Sequence, residues 1–421
     1  MTMKQDIIAV VGLGYVGLPL AVEFGKLFTC IGYDINNKRV DELSNGIDKT
    51  LEVDIDNLNK AKKLTFTSKI DNIKCANIYI ITVPTPIDKD NNPDISLLLT
   101  ASKMIGQLLS KGDIVIYEST VYPGCTEEEC VPVLETSSNM EYNKDFYCGY
   151  SPERINPGDK EHTLTQIVKV TSGSNSKIAG RIDKLYKNII TVGTHLVSSI
   201  KVAESAKIIE NCQRDINIAF INELAIVFNL LDVDTKEVLD AANTKWNFID
   251  FRPGLVGGHC IGIDPYYLTY KSKKLGYDSK IILAGRKLND NMPKYISKKI
   301  IEMMKKNKLS IKIAKILILG ITFKENCPDT RNSKVIDLYN FLNKRKVNLT
   351  IYDPYANKTE LKDSYNIVLD DYKKVVSNIY DCIIISVGHD EFKNFPIDKV
   401  KHNKSIVYDL KSLFNKKYER L

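Results

Sequence analysis

Near the start of the chain the hydrophobic pattern switches between two periods. Ile7-Ile8-Ala9-Val10-Val11 is a continuous apolar run, Leu18 through Leu27 carries apolar residues at helical spacing, and Cys30-Ile31-Gly32-Tyr33 is a second short apolar run. Short continuous runs of this kind read as strands buried on both faces, so the order is strand, turn, helix, strand: a compact βαβ unit. Apolar runs at Ile78 to Val83 and Asp113 to Glu118, with helical patterns between them, continue the alternation. Such alternation predicts a mostly parallel sheet covered by helices, and on this pattern a first domain spans residues 1–198.

The pattern then changes. From Thr194 to Arg252 there is neither glycine nor proline, and Val202, Ala206, Ile209, Ile216, Ala219, Phe220 and Leu224 recur at helical spacing after Ser199, a candidate cap. A helix of roughly thirty residues is long for one small domain. It is expected to join two domains and to offer a face to a second subunit, within a central segment of residues 199–307. Beyond it the α/β alternation resumes: Ile313 to Leu319 reads as a strand, Ser333 to Lys344 as a helix, Asn348 to Tyr352 as a strand ending at Asp353, and Cys382 to Val387 as another. The predicted fold class is therefore α/β, with two Rossmann-like parallel-sheet domains (the second over residues 308–421) joined by a long central helix.

Composition narrows the picture only at a few points. The chain has 421 residues, 43% hydrophobic and 26% charged, and no apolar run approaches the length of about 20 residues that crosses a bilayer. The first residues lead straight into a strand-like run without a signal-peptide core, so a cytoplasmic protein is expected. Lys and Arg exceed Asp and Glu by 59 − 52 = 7, in short clusters that suit a solvated surface or an anionic small substrate. No basic stripe with interleaved aromatics points to nucleic acid. Nine cysteines form no CxxC pair, so each is by default a reduced, buried, small apolar residue, with one open to nucleophilic work.

Candidate chemistry falls at four places. Gly12-x-Gly14-x-x-Gly17 lies between strand and helix, with Asp34 closing the next strand. The glycines allow a tight turn, the helix N-terminus favours a pyrophosphate, and Asp34 can accept ribose hydroxyls, which together predict a dinucleotide site. Asp34 favours NAD over NADP, while Arg39 leaves the second open. Gly257-Gly258-His259-Cys260-Ile261-Gly262-Ile263-Asp264-Pro265 sets a cysteine in a glycine-rich loop, where it serves either as a structural residue or as a nucleophile beside a nicotinamide. Glu204, Lys207 and Asn211 share one helix face, readable as a solvated stripe or as part of a site. Two polar islands, Glu118-Ser119-Thr120 and Ser151-Pro152-Glu153-Arg154, sit at ends of predicted strands.

Taken together these residues resemble the nucleotide-sugar 6-dehydrogenase family, which contains UDP-glucose dehydrogenase and its N-acetylhexosamine relatives. The likeness runs through Val11-Gly-Leu-Gly-Tyr-Val-Gly-Leu-Pro19, Val83-Pro-Thr-Pro86, Glu118-Ser-Thr-Val121, Ser151-Pro-Glu-Arg-Ile-Asn-Pro-Gly158, the Lys207 and Asn211 helix, the Gly-Gly-His-Cys loop and Phe323-Lys-Glu-Asn-Cys-Pro-Asp-Thr-Arg331. The resemblance implies an NAD-dependent, two-step oxidation at C6 of a UDP-sugar, alcohol to aldehyde to carboxylate, by a homodimer or higher homo-oligomer, for surface polysaccharide precursors. It implies Cys260 as nucleophile, Lys207 and Asn211 as the pair stabilising oxyanions, Asp264 with a water as base, Thr120 holding that water, and Glu153 assisting thioester hydrolysis. NAD would meet Gly12, Gly14, Tyr15, Val16, Gly17, Asp34, Arg39, Thr85, Thr120 and Arg331. The UDP-sugar would meet Glu153, Arg154, Lys207, Asn211, Gly257, Phe323 and Lys324, with Arg252 reaching a neighbouring subunit's sugar site; no metal is implied. The spellings His259 to Tyr267 and Asp48 to Val53 look most like the branch that oxidises UDP-N-acetylglucosamine or UDP-N-acetylgalactosamine, with UDP-N-acetylmannosamine and UDP-glucose as alternatives. A single-step β-hydroxyacid dehydrogenase needs neither Cys260 nor a second nucleotide-like domain, and a silent binder would be expected to have lost the reactive residues.

Overall fold

The computed structural model describes residues 6–155, 162–258, 261–414 and 418–421. By backbone contacts the chain divides into two compact units: one through Glu210 together with Tyr266–Tyr277, the other Asn211–Pro265 together with Asp278–Leu421.

The first unit is built on an eight-stranded sheet: β1 (Ile7–Val11), β2 (Thr29–Tyr33), β3 (Leu64–Thr67), β4 (Ile78–Ile81), β5 (Ile114–Tyr117), β6 (Tyr147–Tyr150), β7 (Lys169–Gly173) and β8 (Thr194–Leu196), in the order β3-β2-β1-β4-β5-β6-β7-β8. β1 through β6 run parallel, whereas β7 is antiparallel to β6 and parallel to β8. β4 and β5 are apolar and buried along their whole length because helices cover both faces of the sheet. The helix Gly17–Leu27 lays Leu18, Ala21, Val22 and Phe24 into the core with Ile8, Val10, Ile78 and Ile80. The strand order reverses between β1 and β4, so the loops leaving these two strands open a crevice at their carboxyl ends, where open α/β sheets bind ligands.

The long helix spans Ile200–Leu230, 31 residues, and Ser199 Oγ accepts the Val202 amide, as the sequence pattern predicts. Its orientation corrects the reading of its faces. Glu204, Lys207, Asn211, Asp215 and Asn222 are buried, so the polar stripe is not solvated. Val202, Ile209 and Phe220 instead lie exposed, with Val227 and Leu230. A buried polar face must be paired, and in the second unit the pairing comes from a helix the sequence pattern did not single out, Lys280–Lys306. Its Arg286 donates to Asp215 at 2.5 Å, and Asn289 Nδ2 donates to Asp215 Oδ1 at 2.7 Å. Asn222 Nδ2 donates to Asn289 Oδ1 at 2.9 Å.

The second unit also carries a four-stranded parallel sheet, β9 (Lys315–Leu319), β10 (Asn348–Tyr352), β11 (Tyr380–Ile385) and β12 (Lys401–Asp409), in the order β10-β9-β11-β12. The helix Lys334–Asn343 is capped by Ser333, whose Oγ accepts the Val335 amide. Among the described residues no helix is long and apolar enough to cross a membrane. Of the described cysteines all are buried except Cys75, which is exposed and departs from the expected default.

Candidate active site

The turn after β1 has the geometry of a dinucleotide cradle. Gly12 has φ +96°, and the helix that follows Val16 has no side-chain cap, so its N-terminal dipole faces an open turn. A Cβ on Gly17 would fall 1.8 Å from the Gly12 carbonyl oxygen, which makes this glycine a packing requirement, whereas a Cβ on Gly14 would meet nothing within 4 Å. The open space beside Gly14 is the room a pyrophosphate needs. Asp34 Oδ2 accepts the Leu13 amide at 2.8 Å and Oδ1 the Asn36 amide at 2.9 Å. A carboxylate offers about four acceptor sites, so two remain for ribose hydroxyls. Arg39 donates from Nε to the Leu13 carbonyl at 2.9 Å and lies 2.9 Å from Asp48 Oδ1. Its charge is therefore already matched, which removes the case for a 2′-phosphate and leaves NAD. Asp48, quoted from sequence only as a branch spelling, is a buried hub whose carboxylate also accepts the amides of Thr50, Glu52 and Val53.

The two polar islands and the Val83-Pro-Thr-Pro segment meet at the carboxyl ends of β4, β5 and β6. Thr85 Oγ1 donates to the Thr120 carbonyl at 2.6 Å, and Tyr267 donates to the Thr85 carbonyl at 2.6 Å. Glu153 is buried, and its Oε1 accepts the amides of Arg154 and Ile155. Its Oε2 lies 2.9 Å from Lys169 Nζ, which is also 2.7 Å from Glu118 Oε2. Burial pushes the Glu118 carboxyl up to about 7, with Lys169 pulling it down and Glu153 pushing it further up. Arg154 is held by the Val168 carbonyl and by Glu210. Lys169 was missed from sequence; its signal is a lone charge in the otherwise apolar run Ile167-Val168-Lys169-Val170.

On the central helix, Glu204 accepts the Gly124 and Thr126 amides at 2.5 and 2.9 Å and so fastens the helix to the loop after β5. Lys207 lies one turn further along, 7% exposed, with no hydrogen bond or ion pair to any described residue. With its residue buried and its ammonium unpaired among the described residues, Lys207 is available to an electron-rich ligand. One turn on again, Asn211 Nδ2 donates to Asp264 Oδ2 at 2.5 Å, so these two residues, far apart in sequence, are joined.

His259 and Cys260 lie outside the described residues. The glycines before them are described: a Cβ on Gly257 would fall 2.5 Å from the Asn332 carbonyl oxygen, and one on Gly258, at φ +83°, would fall 2.7 Å from the Phe323 ring. The loop leaving β9, which carries Phe323 and Lys324, therefore docks on this turn because both positions lack a side chain. Buried His389 holds that loop from behind, its Nδ1 accepting the Asn326 amide at 2.9 Å. Arg331 makes a two-point contact with Asp329, and Arg252 is paired with Asp240 and Asp250. Tyr15 and Val16 form the bend that enters the first helix.

Comparison with known proteins agrees along the whole chain. Residues 6–190 match the NAD binding domain of the UDP-glucose/GDP-mannose dehydrogenase family, residues 201–291 its central domain and residues 317–416 its UDP binding domain. The UDP-N-acetyl-D-glucosamine 6-dehydrogenases of Salmonella typhi and Pseudomonas aeruginosa are 55% and 54% identical to it, over 96% and 98% of this chain and 95% and 98% of theirs. Among solved structures, UDP-D-ManNAc dehydrogenase from Pyrococcus horikoshii superimposes with a TM-score of 0.87 at 30% identity, covering 98% of this chain and 96% of that one. Three domains matched in order, on a fold that places a dinucleotide cradle at the sheet switch point, carry one conclusion: the chain belongs to the UDP-glucose/GDP-mannose dehydrogenase family of NAD-dependent oxidoreductases.

Proposed function

We propose that this enzyme oxidises the C6 hydroxyl of a UDP-N-acetylhexosamine, UDP-N-acetylglucosamine foremost, to the uronic acid. The observation that carries the reading is identity above half, over nearly the full length, to two UDP-N-acetyl-D-glucosamine 6-dehydrogenases. UDP-N-acetylgalactosamine is the second substrate in rank. The enzyme works in the cytoplasm as a homodimer or higher homo-oligomer, in which the exposed apolar positions Val202, Ile209, Phe220, Val227 and Leu230 of the central helix pack on a second copy.

NAD, when bound, accepts a hydride at each of two steps. The turn Gly12 to Gly17 and Asp34 hold its pyrophosphate and ribose, with Tyr15, Val16, Arg39, Thr85 and Arg331 around them. Asp264, fixed by Asn211, orients a water that takes the C6 hydroxyl proton, and Thr120 helps hold that water. Lys207 and Asn211 supply charge and a donor where the alkoxide forms, and later where the tetrahedral oxyanions form, a contribution of about 3 kcal/mol for one such donor. The Cys260 thiolate adds to the aldehyde; loss of hydride leaves a thioester. Water then adds to the acyl carbon with Glu153 as its guide, the C–S bond breaks with its electron pair on sulfur, and the two water protons go to the thiolate and to solvent. Gly257, Phe323, Lys324 and Arg154 line the sugar, and Arg252 serves the neighbouring subunit's site.

The test is NADH release from UDP-N-acetylglucosamine, UDP-N-acetylgalactosamine, UDP-N-acetylmannosamine and UDP-glucose at matched concentrations. Two NADH per sugar, with the first substrate fastest, is expected. One NADH per sugar, or a preference for UDP-glucose, overturns the reading.

A further inference from the structure

We propose that Lys169 is a positioning residue for Glu153, aiming that carboxylate for the water-consuming half of the reaction, with Glu118 and Tyr186 as its anchor. The inference rests on the role given to Glu153 under the proposed function. β6 and β7 pair Gly149 with Gly173 and Tyr150 with Ser172, and the same antiparallel register, carried past the strand end, sets Glu153 opposite Lys169. Lys169 is 2% exposed, and its ammonium bridges Glu153 and Glu118. Behind it Tyr186, fully buried, donates its hydroxyl to Glu118 Oε1 and presents its ring 5.6 Å from the ammonium. The chain of contacts therefore runs from Tyr186 through Glu118 and Lys169 to Glu153.

Stability alone does not explain this cluster. Removing an ammonium and two carboxylates from water costs several kcal/mol per ion, and apolar residues of similar volume would hold three strand ends together at least as well. What the ions achieve is orientation. Glu153 accepts two backbone amides at Oε1 and the ammonium at Oε2, so three of its roughly four acceptor sites are fixed and one direction is left for a water. Burial, with Glu153 nearby, pushes the Glu118 carboxyl up against the pull of Lys169. Arg154 pairs with Glu210, and among the described residues no ion pair joins it to Glu153.

The experiment uses Lys169→Met and Lys169→Arg in the full chain, with stopped-flow NADH absorbance at saturating NAD and UDP-N-acetylglucosamine and intact-mass analysis of quenched enzyme. Both hydride transfers precede the water step. Lys169→Met is therefore expected to release about two NADH per protomer in a first turnover at a rate near wild type, and then to turn over roughly 100-fold slower, in the range for loss of a positioned acid–base group. The acyl-enzyme mass should accumulate, and Lys169→Arg should recover most of the steady-state rate. First-turnover and steady-state rates falling together, or wild-type turnover by Lys169→Met, overturns the proposal. If Lys169→Met fails to bind NAD, the same split is read in Lys169→Gln, whose neutral amide should slow only the second phase. A wild-type enzyme yielding one NADH per sugar overturns the proposed function itself, an outcome distinct from equal slowing of both phases.

Discussion

Gly14 and Gly17 belong to one turn, yet the structure separates their reasons for being glycine. A Cβ on Gly17 would lie 1.8 Å from the Gly12 carbonyl oxygen and 2.4 Å from Thr82 Oγ1, whereas one on Gly14 meets no atom within 4 Å. Gly17→Ala must push the helix start off β1 and break the 2.7 Å hydrogen bond from Thr82 to the Gly12 carbonyl. Overpacking of this kind costs about 1–3 kcal/mol, and more where backbone has to move. At about 2–4 °C per kcal/mol for a unit of this size, Tm should drop by roughly 3–10 °C. Gly14→Ala introduces no clash and restricts the unfolded chain, so its Tm should hold level or rise slightly. Its methyl nevertheless occupies the space through which a pyrophosphate approaches the backbone, and the Kd for NAD should rise by at least about tenfold, or about 1.4 kcal/mol. Thermal melts with and without saturating NAD, together with calorimetric titration, read both effects. NAD should raise the wild-type Tm by linkage, and Gly14→Ala should lose most of that increment while keeping its unliganded Tm. A Gly14→Ala protein that binds NAD as wild type does, or a Gly17→Ala protein as stable as wild type, would refute the assignment of packing to one glycine and ligand approach to the other.

Glu204→Gln should lower Tm by an amount equivalent to about 1–3 kcal/mol, because the amide nitrogen must face the Gly124 or Thr126 N–H that the carboxylate now accepts; an unchanged melt would count against the helix being fastened there. Gly258→Ala meets the Phe323 ring and carries a left-handed φ, so kcat/KM for the UDP-sugar should fall at least about tenfold while NAD affinity is unchanged; equal loss of both would place the defect elsewhere. Burial raises the Glu118 carboxyl from 4.5 to about 7, so the native state binds this proton more tightly than the unfolded chain. Its stabilising contribution, at most about 3 kcal/mol, is complete below the unfolded value and is lost as pH rises through about 7. Tm of the wild type should therefore fall more steeply than that of Glu118→Gln between about pH 5 and pH 8, and parallel slopes would contradict the sign.

The first βαβ unit was legible because local signals agree: apolar runs, glycine turn, helix and terminal acid all point to one structure. The central helix was legible in extent but not in orientation. Apolar periodicity groups Val202, Ile209 and Phe220 with Ala219, yet the chain buries Ala219, exposes the other three, and buries Glu204, Lys207, Asn211, Asp215 and Asn222. That inversion depends on partners remote in sequence, such as Arg286 and Asn289, which a linear pattern does not reveal. The helix Lys280–Lys306 went unseen for a related reason: Pro293 lies within it, and Arg286, Asn289 and Ser297 share its inner face with the apolar residues. The site residues were found as separate islands, and only the sheet, by setting the ends of β4, β5 and β6 side by side, joins Thr85, Thr120 and Glu153.

The two Rossmann-like sheets show how one plan takes different ligands. In each, the second strand ends on an aspartate that accepts an amide from the turn after the first strand: Leu13 to Asp34, and Ile321 to Asp353. Asp34 has two protein donors and keeps room for two more. Asp353 accepts the amides of Ile321, Thr322, Tyr355 and Ala356, and His389 Nε2 lies 3.1 Å from its Oδ2. With its acceptor sites filled and both partners buried, Asp353 has no capacity for a ribose hydroxyl, and it serves to fix the loop that carries Phe323 and Lys324. The functional difference between the sheets therefore lies less in strand order than in the number of acceptor positions each terminal aspartate leaves open. The turn Gly320-Ile-Thr-Phe-Lys324 lacks the glycine fingerprint of the first, and counting donors draws the same division from the structure.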